Sequence, residues 1–109
     1  MEKSIVSVVK YEKPGESVKK AVDLVNGLDN VPQDAKVFIK PNVVFWTSEC
    51  DFPKWGMITT SRVVEDVVVL LNEKNPKEII IGEGIITEKV GDKQTPKDAF
   101  ESLGYNKLA

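Results

Sequence analysis

TSRVVEDVVVLLNEKNPKEIIIG (residues 60–82) changes its period part way along, and that change decides the fold. Over 60–74, Val63, Val64, Val67, Val68, Leu70 and Leu71 recur at helical spacing, and Val69 falls outside their arc. Asn75-Pro76 closes the helix, because proline cannot continue it and the residue before a proline is pushed toward extended geometry. EIIIG over 78–82 is a short apolar run ended by glycine and reads as a buried strand. An amphipathic helix leading straight into such a strand is half of a parallel α/β unit.

The same alternation extends toward both ends. SIVSVVK over 4–10 is a β-branched run bounded by charge and by Pro14-Gly15, which predicts a strand. Over 17–28, Val18, Ala21, Val22, Val25 and Leu28 share one helical face, with Lys19, Lys20, Asp23 and Asn26 off it, and Gly27, Asn30 and Pro32 crowd its end. KVFIK over 36–40 is the next strand. A last helix covers 96–103, with Thr95 as N-cap, Pro96 at its first position, Asp98 near the capping-box place and Gly104 as C-terminal cap. The order β-α-β-α-β-α predicts one α/β domain over 1–109, a three-layer Rossmann-like unit with helices on both faces of a small parallel sheet. The expected strand order is 2-1-3, with 3-2-1 as the alternative.

Composition bounds what such a domain can do. Hydrophobic residues make up 41% and charged residues 29% of 109 positions, an ordinary globular balance. A net charge of −2 supplies no field to draw in nucleic acid or an anionic membrane. No apolar run is long enough to span a bilayer, and the start MEKSIVSVVKYEK lacks a signal-peptide core, so a cytoplasmic location is expected. There is no histidine, which removes the commonest general base and metal ligand. Cys50 is the sole cysteine, so the chain cannot form an internal disulfide or supply the usual thiolates of an iron–sulfur cluster. No metal site and no cofactor are expected within the chain.

In open α/β sheets ligands bind beyond the carboxyl ends of the strands. Those ends are Lys10-Tyr11, Lys40-Pro41-Asn42 and Gly82-Glu83-Gly84. Pro41 ends the strand after Lys40, which places the lysine ammonium at that edge; alternatively it pairs with Glu83 or simply reaches solvent. The start of the helix at 60–74 brings Thr59, Thr60, Ser61 and Arg62 together with free backbone N–H groups, an arrangement suited to an anion, although capping by Thr60 explains the hydroxyls as well. Lys40, Asn42, Thr59, Thr60, Ser61, Arg62 and Glu83 are thus the candidate ligand-binding residues, and Lys40 and Glu83 the acid–base candidates for catalysis. Gly82-Glu83-Gly84 is neither a dinucleotide fingerprint nor a phosphate-binding loop, since no G-x-G-x-x-G or G-K-[ST] follows. The connection over 41–58 is long for an α/β unit and holds Phe45, Trp46, Phe52 and Trp55, either as a lid, as a contact for a partner, or as packing on the body. Cys50 lies in it between Glu49 and Asp51, which raise a thiol's pKa.

VFIKPNVV, ITTSRVVEDVVVLLNE, KEIIIGEG and DAFESLGYNKLA, in this order and spacing, resemble the N-terminal part of the DUF362 family, a group of uncharacterised proteins. The most specific elements are Lys40-Pro41-Asn42 after a strand, the threonine-rich helix start at Thr59, and Gly82-Glu83-Gly84. The resemblance runs from about residue 36 to the end and more loosely through the start. It implies a longer protein, and it implies association with ferredoxin-type iron–sulfur segments, although the cysteine-rich segment of some members has no counterpart here.

Three functional expectations follow. The first is a domain that binds a small anionic ligand, or supports an iron–sulfur or other redox partner, at the edge of its sheet. The second is part of an enzyme completed by missing sequence or a second subunit. The third is an interaction scaffold that uses the aromatic loop and the valine-rich helix. A parallel sheet this small leaves open edges, and the apolar arc of its second helix is wide, so either self-association or a missing C-terminal portion is expected.

Overall fold

Phe38 lies opposite Ile80, and Ile39 opposite Ile81, in a parallel pair of strands, β1 (Lys36–Ile39) and β2 (Glu78–Ile81). This is a computed structural model that describes residues 2–46, 57–87 and 89–108. Side chains alternate across a strand. Val37, Ile39, Ile79 and Ile81 therefore share one face, and Ile39 and Ile81 pack into the core. Phe38 and Ile80 share the opposite face and are 63% and 45% exposed.

α2 (Ser61–Asn72) lies on the packed side. Thr60 caps it by accepting from the Val63 N–H at 3.4 Å. Val64, Leu70 and Leu71 are buried while Val69 is exposed, as the spacing predicts. The helix touches α1 (Glu16–Asp23) and a 3-10 turn, Tyr105–Leu108, so its wide apolar arc meets more than the sheet. α3 (Gln94–Ser102) supplies Ala99 and, just beyond its end, Leu103, both nearly inaccessible to water. With Val43, Trp46, Ile58, Val64, Ile85 and Tyr105 these form the core.

Mixed α/β architecture with a parallel sheet is therefore present, but the described residues depart from the expected topology. The run 4–10 joins no strand ladder, and the sheet among the described residues has two strands. β1 and β2 are direct neighbours, which sets aside the 2-1-3 order, because that order needs 4–10 between them. The cause is the absence of a hydrogen-bonding neighbour for the run: a strand exists only as one side of a ladder, whatever its propensity. Ile5, Val6 and Val8 stand 76%, 81% and 92% exposed.

Two helix boundaries also shift. α1 stops at Asp23 rather than near 28, because Asn26 enters the left-handed region and the Gly27 N–H reaches back to the Val22 carbonyl at 3.0 Å. α3 starts before Thr95, so Pro96 is not its first residue and Thr95 is not its cap. Asp92 does that work, accepting from the N–H groups of Gln94 at 2.9 Å and Thr95 at 3.2 Å. Gly104 takes a positive φ beyond the helix end, as expected of a C-terminal cap. No described helix is long and apolar enough to cross a membrane.

Candidate functional site

β1 and β2 end side by side, which brings Lys40 and Glu83 together beyond their carboxyl ends. The Lys40 ammonium lies 3.0 Å from a Glu83 carboxylate oxygen. The two side chains differ sharply in setting: Lys40 is 58% exposed and Glu83 only 6%. The same oxygen accepts from the Val43 N–H at 3.2 Å and, more weakly, from that of Val44 at 3.5 Å; the other accepts from the Gly84 N–H at 2.9 Å. The Lys40 hydrogen bond, with the Val43 N–H next, holds the Glu83 carboxyl below its ordinary value of 4.5. A carboxylate held this way stays ionised at neutral pH and is poorly placed to exchange protons.

Glu83 thus ties the chain just after β1 to the chain just after β2. The tie holds an unusual turn. Phe45 N–H bonds back to the Val43 carbonyl at 2.7 Å, closing a three-residue turn around Val44, whose φ is 59°. Positive φ is costly for a β-branched residue. Ile86 N–H holds the other side of the turn by donating to the Val44 carbonyl at 2.8 Å. The turn directs Val43 and Trp46 into the core, where they are 0% and 6% exposed.

Asn42 joins this edge to the approach to α2. Its backbone N–H donates to the Thr59 hydroxyl at 2.9 Å, its carbonyl accepts from Thr59 N–H at 2.9 Å, and its side-chain amide donates to the Met57 carbonyl at 3.1 Å. Tyr105 donates its hydroxyl to the Thr59 carbonyl. Burial, with the Glu83 charge as a smaller cause, pushes the Tyr105 phenol up to about 12. Gly82 serves close approach: a Cβ there would meet the Phe38 ring at 2.7 Å, so that ring lies over the glycine on the open face of the sheet.

The predicted residues therefore fall into two groups. Lys40, Asn42, Thr59 and Glu83 belong to one bonded edge, and Thr60 caps α2. Arg62 turns to the N-terminal part of the chain, its guanidinium carbon 5.6 Å from the Tyr11 ring centroid. Ser61 lies near Gly104, 3.6 Å from where a Cβ on that glycine would sit. Glu49, Cys50, Asp51, Phe52 and Trp55 lie outside the described residues.

A residue that sequence reading passed over does much of the positioning. Asp66 is 8% exposed within the valine arc of α2. It accepts from the Tyr11 hydroxyl at 3.0 Å and from the Gly15 N–H at 2.9 Å, where Gly15 adopts a φ of 75° ahead of α1. Partial burial and the bond to Asp66 raise the Tyr11 pKa. The available signal was an acid amid VVEDVVVLL, since a buried carboxylate needs partners. Beside this clamp lies a mostly apolar groove of about 440 Å³, lined by Ser7, Val9, Val18, Val22, Leu28 and Val63 among others. Among the described residues, no group of His, Cys, Asp and Glu could hold a metal ion. No family model, no curated protein and no solved structure matches the chain.

Proposed function

We propose that this chain is a non-catalytic interaction module, an α/β unit whose sheet is completed by another polypeptide. The observation that carries this reading is a sheet that, among the described residues, is packed on one face only. Phe38 and Ile80, paired across the strands, are 63% and 45% exposed on the other. With that face covered, the unit would be the three-layer Rossmann-like arrangement that its sequence suggests. A DUF362-like relationship, and with it a ferredoxin-type or other redox partner, belongs to the same proposal and rests on the sequence resemblance.

Binding of a small anion at the strand ends is the weaker reading. Lys40 is paired with Glu83, and Arg62 stacks on Tyr11, so neither cation faces an anion pocket. An enzyme completed by a second subunit would need its proton-transfer groups from that subunit, because Glu83 is held ionised.

The test is binding of a dye that fluoresces on apolar surface. The chain is expected to bind it, and the double variant Phe38→Asp/Ile80→Asp is expected to bind much less while its circular dichroism is unchanged. A chain that binds no dye while phosphate or a nucleotide raises its Tm, with the effect lost in Arg62→Ala, would overturn the reading in favour of the anion edge.

A further inference from the structure

Resting on that reading, we propose that the partner is a second copy of this chain, joined through residues 4–10 paired antiparallel about a two-fold axis at Val6. The run has the composition of a strand and lacks a ladder. Among the described residues, no backbone hydrogen bond is made by residues 4–10. Such a row of unpaired N–H and C=O groups is a template for another extended chain.

Its orientation leaves room for one. The Ser7 hydroxyl donates to the Ala21 carbonyl at 2.6 Å, and Ser7, Val9 and Tyr11 line the groove beside α1. α1 itself packs against α2. The exposure of Ile5, Val6 and Val8, all above three-quarters, shows that no helix covers this end of the run.

Charge selects the register. A two-fold axis perpendicular to a sheet pairs residues of equal parity across it, so only alternate registers are open. With Val6 opposite Val6, Ser4 faces Val8, Ile5 faces Ser7, and Glu2 faces Lys10 at both ends. The outer face then has an apolar centre closed by two opposite-charge pairs. One step either way, with Ile5 or Ser7 on the axis, Glu2 loses Lys10 as its partner: it meets Val8, or it passes beyond the run to Glu12, whose N–H is already bonded to Ser17. Like charges directly opposite destabilise a pair and opposite charges support it.

The test uses the full chain with Cys50→Ser, so that an introduced cysteine stands alone. Val6→Cys is expected to cross-link to a dimer under mild oxidation about tenfold faster than Val8→Cys, because paired residues lie ~5 Å apart and two copies of residue 8 would be ~13 Å apart. In sedimentation, Lys10→Glu is expected to weaken the dimer several-fold, and Glu2→Lys added to it to restore the dimer. Equal cross-linking of the two cysteine variants, or a dimer indifferent to Lys10→Glu, would overturn the pairing. If such a dimer were instead lost in Phe38→Asp, the interaction reading would stand with the sheet face as its contact. A monomer at every concentration that also binds no dye would overturn both.

Discussion

Two β-branched regions of the chain are built from similar residues and packed very differently. Around β1 and β2, the valine after Pro41-Asn42 is wholly buried, Glu83 accepts from several donors, and Tyr105 closes the layer. Around residues 4–10, valines and an isoleucine point into water. The difference is one of partners, not composition. A strand propensity becomes a strand only where a neighbour supplies hydrogen bonds and a helix supplies cover. The first region has both within the described chain, whereas residues 4–10 meet α1 through Ser7 and have no ladder neighbour.

The sharpest break of this comparison is a pair of truncations. Leu103→Ala, at 2% exposure, is expected to cost about 3 kcal/mol in denaturant unfolding. Val8→Ala, at 92% exposure, should leave the stability of the dilute chain within about 0.5 kcal/mol. Comparable losses would show that residues 4–10 are packed after all.

Next in size is Glu83→Gln, expected to cost about 2 kcal/mol at pH 7, since the charged acceptor of the turn is lost. Its pH dependence gives the sign. The Glu83 pKa is lowered from 4.5 in the folded chain, so its stabilisation is present above about that value and is lost as pH falls through the lower folded value. The variant should therefore lose less stability than the parent as pH falls from neutral to below 4.5. Identical acid limbs would remove Glu83 as the tie. At the alkaline end Tyr105, raised to about 12, favours the folded chain below its ordinary value of 10.0, and that contribution fades as pH rises toward 12.

The smallest effect sharpens the comparison most. Val44→Gly exchanges a β-branched residue at positive φ for one that tolerates it. An ordinary surface valine to glycine change costs backbone entropy, but here the net change should be between zero and about 1 kcal/mol stabilising. Clear destabilisation would show that the turn is not strained.

Much of this architecture is legible in the residues. The period of 60–74 marks α2 and even singles out Val69 as the exposed member, and the β-branched runs mark β1 and β2. Lys40 at a strand end, with Glu83 across from it, could be read as an ion pair. What the sequence conceals depends on contacts distant along the chain. The choice between Asp92 and Thr95 as cap turns on where the backbone bends. The acceptance of Val43 and Val44 amides by Glu83, and of Tyr11 and Gly15 by Asp66, joins segments 39–55 residues apart. Whether 4–10 is a strand depends on a neighbour that its own residues cannot reveal.

That last point is open to direct measurement by amide hydrogen exchange on the full chain, at low and at high protein concentration. The account predicts that amides of 36–39 and 78–81 are protected at both, while those of 4–10 exchange freely when dilute and gain protection as concentration rises. Amides of 4–10 protected in the dilute chain as well as those of β1 would contradict it.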